Sequence, residues 1–434
     1  MTEPKQRLLS PRLMAFMGTA ILANIGAMMV FPLESLYVKE LGATVRQVGL
    51  FYTIGAIAPL FLQLLGGWLS DSMGRLKAIA IGSVGGALSY IFYILAPSWI
   101  WLLPSSILTA MAVAFVAPSY QSFIAEESTE ETRGRVFGLT STMFGVVGVI
   151  GPAIGSFLAQ NYSFRSLYII AGGLYTVAAV LRVLMALQSR RSDTDDGHER
   201  SAPVSFAASA RAVFGLVTAG GLVTWIFISD GVSDVAFSLT NRLMPIYLQD
   251  IASLDLIKIG ALQSISAIVA MVLMSPAGWL SDKKGERVSL VAGFATIALG
   301  WFVFLRGGLY WHFILSRVVV GIGWALIDPA YSSLISKAVP EKFRGMAFGL
   351  FSTSLGLISL PAPWIGARLW DAVSPVFPFY VPMVAMLALL PLMWAKFKLP
   401  DQQDPGAEPA AKSGAKPGAK AHADPALLPV PATD

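Results

Sequence analysis

A short polar turn is written twice in this chain, and the distance between the copies constrains the fold more than any other feature. Residues 66–77 read GGWLSDSMGRLK and residues 277–287 read AGWLSDKKGER. Gly67 corresponds to Gly278, Asp71 to Asp282 and Gly74 to Gly285, at an offset of 211 residues. Without a gap, the same offset pairs Pro118 with Pro329, Tyr120 with Tyr331, Arg133-Gly134 with Arg344-Gly345, Pro152 with Pro363 and Gly155 with Gly366. One structural unit is therefore encoded twice in tandem.

Each copy of the turn lies between two runs of about twenty apolar residues, the length a helix needs to cross the hydrocarbon core. The chain is 55% hydrophobic and only 13% charged, against about 25% charged in a soluble domain. The runs are continuous rather than alternating, which argues against a membrane β-barrel. The pattern predicts spans at 13–37, 47–69, 77–97, 100–123, 136–159 and 166–187, then at 215–248, 258–280, 288–306, 312–335, 346–367 and 377–397. The fold class is an all-α membrane protein with twelve transmembrane helices in two pseudo-symmetric six-helix bundles. Residues 1–188 form the first half and 211–398 the second. Residues 189–210 are polar and aperiodic, a linker, and 399–434 are low-complexity and expected to be disordered.

Orientation follows from the basic residues. With the N-terminus inside, 23 of the 31 Lys and Arg fall in cytoplasmic segments, Arg182 among them. This bias places both termini, the linker and the tail in the cytoplasm of a cell that holds the protein in its inner or plasma membrane. The opening MTEPKQRLLSPR has no signal-peptide cleavage pattern, so the first span is expected to stay in the membrane.

Several function classes recede on composition. The net charge of +5 is spread over many short loops, a pattern of membrane orientation rather than of nucleic-acid binding. The chain has no Cys, which removes disulfides and thiolate metal sites. His198, His312 and His422 lie in or near predicted loops, so no metal site is expected. No G-x-x-x-x-G-K-[ST] loop is present and no nucleophile–base pair is visible. No cofactor and no enzymatic activity are expected.

Two tandem six-span halves, with an Asp/Gly/basic turn between spans 2 and 3 and its echo between spans 8 and 9, resemble the major facilitator superfamily. The family pattern Gly-x-Leu-x-Asp-Arg-x-Gly-Arg-Lys is matched by Gly67, Leu69, Asp71, Gly74 and Arg75. Ser72 replaces the usual Arg, and Lys77 stands one place late. The resemblance covers about residues 12–398. It implies a monomeric secondary transporter that works by alternating access, with spans 1, 4, 7 and 10 lining a central cavity. It also implies that Asp71 helps lock the cytoplasmic ends of the two halves together, with Arg133 and Arg344 as candidate partners and Asp282 as a second gate carboxylate. Against this stands the plainer reading of a solvated loop.

In the fifth span, Gly145, Gly148, Gly151 and Gly155 recur every three or four residues around Pro152. This resembles the Gly-Pro motif of proton-coupled drug exporters in that superfamily; ordinary close helix packing is the alternative. Arg317-Val-Val-Val-Gly321 resembles an exporter motif that normally sits in the fourth span, where Ser106 stands at the equivalent position here. Arg317 is either a functional cation or a residue snorkelling to the outer interface.

Ionisable residues inside spans are expensive in lipid and usually face a cavity. They are Glu34 in span 1, Asp230, Asp234 and Arg242 in span 7, and Asp328 in span 10. Asp230 and Asp234 are four apart and share a helix face. Aligning Tyr37 with Tyr247 sets Asp234 opposite Asn24 near mid-membrane, and Arg242 near the height of Glu34. A hydropathy count from Arg211 instead pushes Asp230 toward the outer surface. Glu34 and Arg242 either belong to the pathway or pair as an outer clamp.

The expected function is proton-coupled export of amphipathic or cationic small molecules, with protons, the small-molecule substrate and the bilayer as partners. Uptake or facilitated flow of a sugar or similar metabolite is the alternative; the glycine-rich fifth span and the scarcity of Asn and Gln in the spans weigh against it. From another class, a non-transporting sensor or assembly partner is expected to have degenerate turns, whereas both copies are kept. The topology carries its own test. A reporter active only in the cytoplasm, fused after Lys398, is expected to be active; activity only outside the cell reverses the orientation.

Overall fold

A backbone amide left unpaired in hydrocarbon costs several kcal/mol, so apolar runs of this length close their hydrogen bonds within one helix. The computed structural model describes residues 9–62, 73–189, 215, 221–338 and 356–397. No β-strand occurs among the described residues. The described residues belong to one compact unit. Gly67, Asp71, Arg344, the expected linker and the expected tail lie outside the described residues.

The first half includes α1 (Pro11–Val30), α2 (Glu34–Glu40), α3 (Val45–Gly55), α4 (Arg75–Leu95), α5 (Leu103–Glu126), α6 (Glu130–Asn161) and α7 (Phe164–Ser189), with further helix at 57–62. The second includes α8 (Leu222–Asn241), α9 (Met244–Asp250), α10 (Leu256–Lys284), α11 (Glu286–Leu305), α12 (Tyr310–Ala338), α13 (Ala362–Ala372) and α14 (Tyr380–Lys396), with further helix at 356–359. Eleven helical segments among the described residues are long and apolar enough to cross a membrane. The span expected at 346–367 is described from 356 onward and contributes α13. Below, the near face is the one on which α1 begins, and the far face is the opposite one.

Local sequence sets the ends. Ser10 caps α1, its Oγ accepting from the Leu13 amide at 3.0 Å, with Pro11 in the first turn. Thr44 and Gln47 form a reciprocal capping box on α3. Asp255 caps α10 by accepting from the Lys258 amide at 2.8 Å, and that bond holds its carboxyl below the usual carboxylate range. α4 and α11 each begin at a glycine with positive φ, Gly74 at 93° and Gly285 at 87°. Side chains rarely adopt that conformation, which explains why both copies of the turn keep a glycine there.

Spans 1 and 7 are broken at comparable places. Span 1 divides into α1 and α2 around Pro32, and span 7 into α8 and α9 just before Pro245. Proline removes an amide donor and obstructs the preceding turn. Glu34 begins α2, and Arg242 is the residue that ends α8. The breaks thus bring both charges to comparable positions in the two halves.

The repeat survives in three dimensions. In the first half, a Cβ at Gly155 of α6 would overlap the Met29 carbonyl oxygen of α1. In the second, a Cβ at Gly366 of α13 would overlap the Leu239 carbonyl oxygen of α8. This places Met29 opposite Leu239, the register that sets Asn24 opposite Asp234. Aromatic clusters repeat as well: Tyr37 lies 4.7 Å from Tyr168, and Tyr247 lies 5.0 Å from Phe379 at the matching positions.

The halves meet through two equivalent contacts. A Cβ at Gly49 of α3 would lie 2.6 Å from the Pro363 carbonyl oxygen and 2.5 Å from the Ala367 Cβ of α13. A Cβ at Gly260 of α10 would lie 2.7 Å from the Pro152 carbonyl oxygen and 2.5 Å from the Ser156 Cβ of α6. Three hydrogen bonds cross beside them: Trp364 N to Thr53 Oγ1 at 3.2 Å, Ser264 Oγ to Val149 O at 2.6 Å, and Leu256 N to Gln160 Oε1 at 2.9 Å. Gly49, Ala367, Gly260 and Ser156 lie within about 8 Å of the far-face ends of their helices, at 1.5 Å per residue. In lipid there is little hydrophobic drive between helices, so backbone approach at small residues decides which surfaces associate.

Glycines within a half and glycines between halves should therefore fail differently. Gly155→Val overpacks α1 against α6 and is expected to cost about 1–3 kcal/mol of stability, lowering the amount of folded protein. Gly260→Val should leave each half folded but keep the far face open. Maleimide labelling of Ala367→Cys, buried here at 0% exposure, is expected to rise in Gly260→Val. Unchanged labelling would contradict the assignment.

Candidate functional site

α8 and α12 carry the intramembrane carboxylates. Asp230 is about 12 Å along α8 from its near-face start, and Asp328 about 15 Å along α12 from its near-face end, at 1.5 Å per residue. The two aspartates thus stand at similar depth and line one cavity of about 290 Å³. Ser233 and Phe237 of α8, Phe294 of α11, Trp324 and Tyr331 of α12 and Met386 of α14 complete most of its wall. Every lining residue belongs to the second half. α8 continues beyond Asp230 to Asn241, so Asp230 is not at the far end of its helix.

The cavity combines aromatic faces with unneutralised acid. Phe237 and Trp324 approach with ring centroids 5.2 Å apart. The Tyr331 and Ser229 hydroxyls share a hydrogen bond of 2.7 Å, joining α12 to α8 beside Asp230. Asp234 lies one turn further along α8, on the face it shares with Asp230. Among the described residues, no cationic side chain pairs with Asp230, Asp234 or Asp328 and none hydrogen-bonds to them. A carboxylate in such a place needs a cation, and aromatic faces favour an organic one. Asn24, opposite Asp234 in the repeat, turns its amide onto its own helix, donating to Ala20 O at 2.9 Å.

The remaining ionisable residues separate from this cavity. Glu34 and Arg242 pair across the halves, with Arg242 Nη1 3.2 Å from Glu34 Oε2. Arg317 does not reach the interface: it is 6% exposed, its guanidinium 5.7 Å from the Trp301 ring centre and 6.0 Å from that of Phe304. It is enclosed in the second-half core because α12 presents it to α11 rather than along its own axis toward water. Arg182 is a correction. Counted above with the cytoplasmic segments, it is 2% exposed inside the first half. Its Nε donates to Thr19 Oγ1 at 3.1 Å and its Nη1 to Ser83 Oγ at 2.9 Å. α7 runs on to Ser189, so position 182 still lies within the bundle.

At the near face the repeated turns carry one ion pair with its charges exchanged. Arg75 Nε meets Glu126 Oε1 at 3.1 Å in the first half. Glu286 pairs with Lys337 at the equivalent positions of the second and also accepts from Ser333 Oγ at 2.8 Å. Glu286 at a helix start and Lys337 at a helix end complement the helix dipoles, whereas Arg75 and Glu126 oppose them. Arg133 Nη2 donates to Ala125 O at 3.2 Å, covering the end of α5. Asp282 is exposed on the last turn of α10, and a Cβ at Gly278 would meet nothing within 4 Å.

In α6 the four glycines divide their work. Gly151 and Gly155 face Met28 and Met29 of α1, Gly145 faces Met271 of α10, and Gly148 borders open space. Pro152 stays within a continuous helix. The far rim holds a pair not anticipated from the sequence: Lys39 of α2 binds both carboxylate oxygens of Asp250 of α9, at 2.5 and 2.6 Å. Here the repeat runs at an offset of 210, which aligns α2 with α9, so Lys39 corresponds to Gln249 and Asp250 to Glu40; repeat position alone does not signal the pair.

Two matched helical bundles, apolar outside and holding isolated charges within, define a multi-pass membrane transporter. The chain belongs to the major facilitator superfamily: the sequence model described as Major Facilitator Superfamily matches residues 16–255 and 226–430. It is an integral membrane protein that moves small molecules, not an enzyme. The chain is 24% identical over 345 residues to an uncharacterised MFS-type transporter of Methanocaldococcus jannaschii, covering 78% of this chain and 86% of that one. It is 25% identical over 366 residues to the quinolone resistance protein NorA of Staphylococcus aureus, covering 84% and 91%. Among solved structures, the nucleoside transporter NupG superposes with a TM-score of 0.72 at 14% identity, covering 90% of this chain and all of that one.

The rim pair is open to a charge-reversal test. Lys39→Asp and Asp250→Lys are each expected to loosen the far face, by about 0.2–1 kcal/mol for a partly exposed pair. The double variant should recover closure. The labelling rate of Ser156→Cys, fully buried beside Gly260, reads the effect. Additive single effects in the double variant would show that the pair does not hold the rim.

Proposed function

We propose that this transporter exports amphipathic organic cations in exchange for protons, with the near face toward the cytoplasm, and that it acts as a monomer. The observation that carries the reading is the cavity between α8 and α12. Asp230 and Asp328 line it beside Trp324, Phe237 and Phe294, and no cationic side chain among the described residues neutralises them. Two kinds of cation are available to such a site in a transporter: a proton and a charged cargo. If both bind the same carboxylates they exclude one another, and exchange follows from that competition alone. Asp234 lies one turn further along the face of α8 that carries Asp230.

The far-face contacts fit one limb of alternating access, in which the two halves rock about the site. Glu34, Arg242, Lys39 and Asp250 hold the far face closed. The near-face groups, Gly67, Asp71, Gly74, Arg75 and Arg133 with Gly278, Asp282, Gly285 and Arg344, form the opposite gate. Similarity to NorA, a quinolone resistance protein, supports export of drug-like molecules. The excess of Lys and Arg on the near face supports its cytoplasmic orientation. Carriage of a neutral sugar or metabolite is disfavoured by a lining poor in amides and rich in aromatic rings.

Reconstitution in liposomes with an imposed pH gradient tests the mechanism. Asp230→Asn, Asp234→Asn and Asp328→Asn, singly and together, should include at least one variant in which pH-driven transport falls by roughly 5- to 150-fold, the range spanned by a coupling free energy of about 1–3 kcal/mol. The protein should remain folded and retain some substrate binding. If the triple variant still moves protons with substrate at the normal rate, the acidic cavity is not the coupling site.

A further inference from the structure

The far-face pair Glu34–Arg242 is more than an ion pair. The Arg242 guanidinium lies 4.5 Å from the ring centre of Phe31 and 4.3 Å from that of Tyr52. Its Nη1 donates to Glu34 Oε2 at 3.2 Å. The Glu34 carboxylate is itself positioned by two phenols, Tyr52 donating to Oε2 at 3.0 Å and Tyr93 to Oε1 at 2.5 Å. Phe31, Glu34, Tyr52 and Tyr93 all belong to the first half. Arg242 comes from the second.

Tyr93 and Tyr52 are held without help from Arg242. Tyr93 stacks on Tyr168 with centroids 4.6 Å apart and planes 7° from parallel. The Tyr37 hydroxyl donates to the Tyr93 carbonyl at 2.6 Å. Tyr52 packs on Phe51, which is buried. One carboxylate, two phenol donors that orient it and two aromatic faces make a receptor for a flat, delocalised monovalent cation.

We propose that the box formed by Phe31, Glu34, Tyr52 and Tyr93 is a binding site for organic cations of the guanidinium class, and that Arg242 is its tethered occupant. When the far face closes, the guanidinium of one half enters the receptor of the other. When the halves separate, the box is vacated toward the far-face solution and accepts a free cation. Tether and free cation then compete for one site, with the tether favoured by its high effective concentration. A cation held in the box keeps the far face from closing until it leaves. This needs only that the far face opens; it does not rest on proton coupling, on Asp230 and Asp328, or on the direction of transport.

Methylguanidinium chloride is the probe, with sodium chloride at equal ionic strength as the control. Purified Arg242→Ala in lipid nanodiscs has an empty box, and methylguanidinium should raise its Tm saturably by a few degrees, as ligand binding to the folded state requires. Unsubstituted protein should show a much smaller response, and Arg242→Ala combined with Glu34→Gln none. Arg242→Gln serves the same purpose if the alanine variant does not fold. A second measurement keeps Arg242 in place. In Ser156→Cys protein, methylguanidinium should speed maleimide labelling several-fold by displacing the tether, and the sodium control should not. Equal Tm responses with and without Glu34, or labelling that methylguanidinium leaves unchanged, would overturn the proposal.

Discussion

Backbone lying against backbone at four glycines is the constraint on which the rest of this structure depends. Gly155 and Gly366 let α6 and α13 touch the carbonyls of α1 and α8, which closes each half. Gly49 and Gly260 let α3 and α10 touch the carbonyls of α13 and α6, which closes the far face. Apolar side chains cannot direct this assembly, because lipid solvates them as well as a neighbouring helix does. Surfaces that exclude side chains altogether can. Each contact occurs twice, so one solution to the packing problem serves both halves and both seams between them.

Charge breaks the symmetry that packing preserves. Lys39 faces Asp250 across the seam between the halves. Arg75 with Glu126 becomes Glu286 with Lys337. The first half buries Arg182 among hydroxyls, while the second lines a cavity with Asp230 and Asp328. Across the seam a cation of one half meets a carboxylate of the other, at Lys39–Asp250 and again at Arg242–Glu34, so charges that differ between the copies draw the halves together. The Arg242 box follows the same rule, with receptor on one half and cation on the other.

Much of the fold was legible in the residues. Gly74 and Gly285 announced a turn that needs positive φ, and both adopt it. Pro32 and Pro245 mark where two long apolar runs break, although runs 13–37 and 215–248 read as single spans by hydropathy alone. The intramembrane acids Asp230, Asp234 and Asp328 were found because charge in an apolar run is conspicuous. Arg182 was misplaced for the complementary reason. It lies near the end of its run, where hydropathy cannot tell a loop cation from one turned inward.

The sequence by itself determined the class of protein, the duplication and its offset, because run length, composition and residue spacing are one-dimensional properties. It also identified which residues are charged within the membrane. Only the tertiary structure decided their company. Asp230 and Asp328, 98 positions apart in the chain, share a cavity because α8 and α12 run side by side in opposite directions. Arg317, about three turns away on the same helix as Asp328, is enclosed instead by Trp301 and Phe304. Arg242 sits between Phe31 and Tyr52 because two halves meet there. Periodicity records which face of a helix a residue occupies; which neighbour that face meets is set by how the helices pack.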